Sequence, residues 1–93
     1  MNEKKPVLDA LLAAVESCCK ELQSFRDNER SNNYDRLQMT EAILHELCRI
    51  IEAADFTNEG GGAVVARRLR RLYNSYIPFP GQNRLDFAIK NIE

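Results

Sequence analysis

The chain has 93 residues, of which 44% are hydrophobic and 29% are charged, with four glycines and three prolines. This composition is typical of a globular domain and excludes collagen-like and disordered chains, while the length allows one domain (residues 1–93) and excludes doubly wound nucleotide folds and barrels. The formal net charge of −1 excludes a field over the whole molecule that would draw it onto nucleic acid or an anionic membrane.

The first predicted helix covers about residues 7–26. Pro6 suits the first turn of a helix, where its missing N–H is no loss. Apolar residues then recur at steps of three and four, which predicts an amphipathic helix. They are Leu8, Leu11, Leu12, Val15, Cys18 or Cys19, Leu22 and Phe25 or Arg26. The polar stretch 27–33 predicts a turn that ends in a helix N-cap at Asn32 or Asn33.

The second predicted helix, about residues 34–54, keeps the helical period for longest. Its apolar positions are Leu37, Thr40, Ile43, Leu44, Leu47, Ile50, Ile51 and Ala54. It ends before a polar stretch that contains Gly60, Gly61 and Gly62, since glycine is costly inside a helix. A phosphate-binding loop is disfavoured here because no strand precedes the glycines and no Lys-Ser/Thr follows them. We expect a connection between two helices.

A third helix is predicted over about residues 63–77 and a short fourth over about 84–92. The apolar face of the third consists of Val65, Leu69, Leu72, Tyr73 and Tyr76. Pro78 ends it, because the residue before a proline resists helical geometry. The fourth carries Leu85, Ala88, Ile89 and Ile92 on one stripe. The fold class is therefore all-α, an antiparallel up-down helical bundle with three long helices and a short fourth.

Three residues could suggest redox or metal chemistry, namely Cys18, Cys19 and Cys48. Their odd number and the lack of a CxxC pair do not fit a secreted disulfide framework, so a reducing cytoplasm is expected. The charged start of the chain does not resemble a signal-peptide core, and no stretch approaches the roughly 20 apolar residues of a membrane span.

His45 is the only histidine, and it precedes Cys48 by three residues on the same helix. A zinc site or a Cys–His nucleophile is conceivable, but the ligand spacing is loose and no orienting acid or oxyanion loop is recognisable. We favour cysteines that act as small apolar core residues. The sequence therefore predicts no metal, no cofactor and no enzymatic activity.

Charge is distributed unevenly along the chain. Residues 1–59 hold 12 acidic and 7 basic residues, whereas residues 60–93 hold 2 acidic and 6 basic ones. The densest basic feature comprises Arg67, Arg68, Arg70 and Arg71. Such a cluster can follow a phosphate backbone, but Leu69 and Leu72 commit the same helix to a core. Pairing with acidic residues of the same chain, or with an acidic protein, is favoured over nucleic acid.

Three segments together carry a resemblance to a known family. They are Asn33-Tyr34-Asp35-Arg36 at the start of the long helix, Ile50 to Asp55-Phe56 before the glycines, and Val65-Ala66-x-x-Leu69-x-x-Leu72-Tyr73. Over roughly residues 7–77 this pattern resembles the FliS family of flagellin export chaperones. The chain departs from the family pattern at Val64, where an acid is usual, and at Tyr76, which stands one place late.

The resemblance implies an antiparallel bundle with a hydrophobic surface that holds the C-terminal region of flagellin and prevents assembly before export. The resemblance and the apolar face of the third helix together indicate a set of partner-binding residues. They are Ile50, Ile51, Val65, Leu69, Leu72, Tyr73 and Tyr76. Each of these is also a natural core residue, so a shared surface is expected rather than a single essential side chain. Two alternatives remain: a regulator that binds nucleic acid or an acidic protein through the arginine cluster, and a structural homo-oligomeric bundle.

Overall fold

The computed structural model describes residues 4–27, 34–76 and 78–93, and all of their side chains except those of residues 4–6, 26 and 27. Within these ranges the chain is helical and contains no strand, so the prediction of an all-α protein is confirmed. The helices are α1 (Lys4–Asp27), α2 (Tyr34–Ala53), α3 (Gly62–Ser75) and α4 (Gln82–Ile92), with a short 3-10 helix at Thr57–Glu59.

The observed helix bounds differ slightly from the sequence expectation. α1 begins at Lys4 rather than near Val7, and α4 begins at Gln82, directly after Gly81. Gly81 has a φ of +85° and precedes the first turn of α4, a conformation that glycine adopts without strain. The third helix was expected to end near Ile77, but α3 ends at Ser75, because Tyr76 already has extended backbone. The expected N-cap at Asn32 or Asn33 falls outside the described residues.

One apolar core joins all four helices and forms a helical bundle. Its buried side chains are Leu8, Leu12, Val15, Cys18, Cys19, Leu22, Leu44, Cys48, Ile51, Phe56, Val65, Ala66, Leu69, Phe79, Leu85, Ala88 and Ile89. Extensive contacts join α1 to α2, α2 to α4 and α3 to α4, whereas α1 and α3 make the least contact of the neighbouring pairs. A gap between α1 and α3 is thus the open side of the molecule.

The three consecutive glycines connect α2 to α3. Gly60 and Gly61 have φ values of +98° and +95°, which residues with a Cβ rarely adopt. At Gly62 a Cβ would lie 2.0 Å from the backbone oxygen of Ile92, at the end of α4. The glycines therefore turn the chain and let the start of α3 approach the end of α4 closely.

Candidate protein-binding surfaces

The predicted partner-binding residues divide into three groups by exposure. Ile51, Val65 and Leu69 are fully buried, so in this conformation they support the core and no partner can reach them. The side chains at positions 72, 73 and 76 are half-buried and pack against the edge of the core. Ile50 is 44% exposed and lies on α2. The only parts of the predicted set that a partner could contact are therefore the half-buried end of α3 and, on another helix, Ile50.

A groove of about 410 Å³ opens between α1 and α3. It is lined by Asp9, Leu12, Ala13, Glu16, Arg68, Arg71 and Leu72. Leu12 is nearly buried and Leu72 is half-buried, so together with Ala13 they give the groove an apolar floor. We name this feature the α1–α3 groove. It places one predicted partner-binding residue, Leu72, beside two arginines of the basic cluster.

Charged side chains of both signs form the rims of the α1–α3 groove. Arg68 donates to Asp9 across it with an N–O distance of 3.3 Å, and both side chains are about half exposed. The hydroxyl of Tyr76 donates to the Glu16 carboxylate at 2.8 Å. Burial and the neighbouring Glu16 carboxylate raise the pKa of Tyr76 to about 12, so the phenol remains a neutral donor near pH 7.

The basic cluster does not form one continuous cationic surface. Arg68 pairs with Asp9, and Arg70 pairs with Glu93 at 2.8 Å. Arg67 and Arg71 are exposed and have no ion pair in the described part of the chain. Two of the four arginines are therefore already matched by acids of the same chain, and of these only the Arg68–Asp9 pair joins the basic C-terminal third to the acidic part, residues 1–59.

The opposite side of the bundle, between α2 and α4, is closed by a polar network. Both terminal nitrogens of Arg84 donate to Glu52 at 2.8 Å, and the amide of Asn91 donates to the same carboxylate at 3.0 Å. The two charged side chains are 18% and 19% exposed. The hydrogen bond from Arg84 is the main cause that lowers the pKa of Glu52, so this carboxylate stays ionised well into the acid range.

The cysteines and His45 are not brought together as a reactive site. Cys19 and Cys48 are fully buried, and burial raises the pKa of the Cys19 thiol to about 12 and that of Cys48 to about 11. Burial also raises the pKa of Cys18. His45 is exposed. Within the described residues no group of three or more His, Cys, Asp or Glu side chains could hold a metal ion.

A second apolar surface lies on α2, and it includes Ile43 and Ile50 of the predicted stripe together with Met39, which the sequence analysis did not assign to it. Met39, Ile43 and Ile50 are 65%, 51% and 44% exposed, whereas Leu44 and Ile51 are fully buried. At 100° per residue the three exposed side chains fall within about 40° of one another and roughly 100° from the buried pair. The apolar face of α2 is thus wider than the part that the core covers. This width can be read from the sequence, and it was the signal that some apolar side chains of α2 would stay exposed.

The chain matches no protein-family model, no curated protein and no solved structure. None of the helices described has the length and apolar character needed to cross a bilayer.

Proposed function

We propose that this protein is a small adaptor or chaperone that holds an amphipathic segment of another protein in the α1–α3 groove. The observation that carries the proposal is the open apolar floor of Leu12 and Leu72 between rims of mixed charge. An amphipathic helix binds such a groove by placing its apolar face on the floor. The role is one of binding, without a catalytic step.

The physical basis is burial of apolar surface, with charge fixing the register of the bound segment. Apolar surface contributes about 25 cal/mol per Å² when it is removed from water. Arg71 is exposed on the rim and has no ion pair within the described residues, so it can receive an acidic residue of the bound segment. The exposed Asp9–Arg68 pair can exchange partners at small cost.

The resemblance to the FliS family suggests which partner to test. We propose that the bound segment belongs to an export substrate such as the C-terminal region of flagellin, and that binding in the cytoplasm prevents early assembly. The residue of the family pattern that lines the groove is Leu72, at the half-buried end of the α3 apolar face. A chaperone of this kind needs a groove that is open before the substrate arrives.

We also infer that consecutive helices run antiparallel, as in an up-down bundle. This is supported by Arg36, near the start of α2, which contacts Glu21 near the end of α1. At the other end of the same pair, Leu8 and Leu11 of α1 share a hollow with Phe56, which follows α2. Antiparallel neighbours place α1 and α3 side by side in the same direction, which sets the course of the α1–α3 groove.

The test is a titration of the protein with a labelled peptide from the flagellin C-terminus encoded in the same genome. Ala13 is exposed and lines the groove, so Ala13→Gln adds bulk on its floor without disturbing the core. We expect Ala13→Gln to weaken binding at least about tenfold, a loss of ~1.4 kcal/mol. The matched control is Ala10→Gln, an exposed alanine on the same helix outside the groove, which should bind like the parent chain. Equal binding by both variants would contradict the proposed site.

A salt series separates this function from nucleic-acid binding through the arginine cluster. Affinity for duplex DNA falls steeply with salt because bound cations displace counterions, whereas groove binding by apolar contact changes little. We expect the affinity for the peptide to depend only weakly on salt. We also expect no specific DNA complex, since Arg68 and Arg70 are already paired. Strong DNA binding that Arg67→Ala and Arg71→Ala abolish would favour the regulator instead.

A further inference from the structure

We infer that the segment bound in the α1–α3 groove is a helix with one acidic flank and one basic flank. The inference rests on the proposed function, because it names the chemistry of the segment that the same groove would hold. The observation that carries it is that the charges in the lining of the groove are sorted by helix. The acids of the lining lie on α1, and its arginines lie on α3.

Each rim of the groove carries two charges of one sign. The α1 rim carries Asp9 and Glu16. The α3 rim carries Arg68 and Arg71, and the apolar floor lies between the two rims. A helix whose apolar face rests on this floor turns one flank toward each rim. Acidic residues are therefore favoured on the flank beside α3, and basic residues are favoured on the flank beside α1.

One charge on each rim has no ion pair within the described part of the chain. Arg68 of the α3 rim pairs with Asp9 across the groove, at an N–O distance of 3.3 Å. Arg71 is exposed and makes no such pair. Glu16 accepts a hydrogen bond at 2.8 Å from the neutral hydroxyl of Tyr76, which supplies no opposite charge. Each rim therefore keeps one charge that a bound segment can match without breaking an existing ion pair.

The two unmatched charges are separated along the groove. As α1 advances from Asp9 to Glu16, its contacts across the groove advance from Arg68 to Tyr76. At about 1.5 Å per residue, Glu16 lies about 10.5 Å beyond Asp9, whereas Arg71 lies about 4.5 Å beyond Arg68. The difference of about 6 Å is roughly one helical turn. The basic residue of the bound helix should therefore be displaced by about one turn from its acidic residue.

The sorting of charge also distinguishes this partner from uniformly charged ones. A segment with acids on both flanks places one flank against Asp9 and Glu16. A segment with bases on both flanks places one flank against Arg68 and Arg71. Like charges brought together at an interface cost free energy, so both segments are disfavoured. A helix with flanks of opposite charge avoids both costs.

The experiment titrates the full chain with three designed peptides of about 18 residues, a length that supports a helix in water. All three peptides have the same leucine face. The mixed peptide has one glutamate flank and one lysine flank, the acidic peptide has glutamate on both flanks, and the basic peptide has lysine on both. We expect fluorescence anisotropy to show that the mixed peptide binds at least about tenfold more tightly than either of the others.

A charge reversal on the α3 rim tests whether the groove makes this choice. In Arg71→Glu the rim loses its unmatched positive charge and gains a negative one, so the basic peptide should become the tightest binder. The matched control is Arg67→Glu, which changes an exposed arginine of the same helix that does not line the groove. It should keep the preference for the mixed peptide. Both positions are exposed, so both variants should keep the helicity of the parent chain.

Glu16→Gln tests the α1 rim. The amide oxygen of the new side chain can still accept the hydrogen bond from Tyr76, so the variant removes the charge and keeps the contact. We expect it to bind the acidic peptide more tightly than the parent chain does, because one like charge is gone from the α1 rim.

Four results would overturn the inference: equal affinity for the three peptides, tightest binding of a uniformly charged one, binding of none of them, or the same change of preference in Arg71→Glu and Arg67→Glu. The titration with the flagellin peptide distinguishes this failure from that of the proposed function. If Ala13→Gln weakens binding of the flagellin peptide but the three designed peptides bind equally, the proposed function stands and only the inference about charge is wrong. If neither the flagellin peptide nor any designed peptide binds, both fail.

Discussion

The α2–α4 and α1–α3 interfaces use the same types of charge with different results. Between α2 and α4, Glu52 receives both nitrogens of Arg84 and the amide of Asn91, and the charged pair is mostly covered. Between α1 and α3, Asp9 receives Arg68 at 3.3 Å with both side chains half in water.

The difference lies in geometry and coverage rather than in residue type. A bidentate arginine–carboxylate pair that is shielded from water contributes much more than an exposed single contact. The α2–α4 interface is therefore held by a shielded ion pair, while the contact across the α1–α3 groove is half in water. The bundle is therefore held more firmly between α2 and α4 than between α1 and α3.

The largest expected effect is at the contact between the start of α3 and the end of α4. In Gly62→Ala the new Cβ would lie 2.0 Å from the backbone oxygen of Ile92, so α3 and α4 have to separate. We expect thermal or urea denaturation to show a loss of about 3 kcal/mol in the free energy of unfolding. In the control Gly81→Ala, φ is +85° but the nearest side-chain atom is 3.7 Å away, so only about 1–2 kcal/mol should be lost. Equal losses would contradict the close approach.

The next effect in size concerns the Arg84–Glu52 ion pair, which joins α4 to α2. Arg84→Met leaves the largely covered Glu52 carboxylate without its main partner and should cost about 2–3 kcal/mol in denaturant unfolding at pH 7. Because the pKa of Glu52 is lowered in the folded protein, the contribution of this pair is complete above the ordinary value of 4.5. It is lost as the pH falls below 4.5 toward the lowered pKa. As the pH falls through this range, the free energy of unfolding should therefore decrease less in Arg84→Met than in the parent chain.

The smallest expected effect concerns the Arg68–Asp9 pair at the α1–α3 groove. Arg68→Met removes the exposed pair with Asp9 and should change the free energy of unfolding by less than about 1 kcal/mol, because exposed pairs are screened by water and salt. The same denaturant measurement applies, so the two arginine variants are read on one scale. A loss as large as that of Arg84→Met would mean that the groove is as firmly closed as the α2–α4 interface.

The helical content could be predicted from the sequence because apolar side chains at steps of three and four must face one core. Leu8, Leu12, Val15 and Leu22 follow this rule and are buried. The same rule could not separate the two faces of α2, since Ile43 and Leu44 differ by only one position yet one is exposed and the other is buried. Periodicity shows that a face is apolar, and the neighbouring helices decide which part of it they cover.

Part of the candidate site was visible in the sequence. Leu72 and the arginines stood out by spacing and by charge density, and the structure places Leu72 beside Arg68 and Arg71. Asp9, Leu12 and Glu16 of α1 could not be connected with them, because more than fifty residues separate the two sides of the groove. Only the packing of α1 beside α3 brings these residues together.

What the sequence determined by itself is therefore local: four helical segments, a glycine-rich connection and a basic third helix. The tertiary structure decided which apolar residues are buried, which arginines are neutralised and where the molecule stays open. Glu52 and Arg84 show the physical reason, since they are 32 residues apart in the chain and their strong pairing depends on both being shielded between α2 and α4. The strength of a charge pair depends on its shielding from water, and that shielding exists only after the helices have packed.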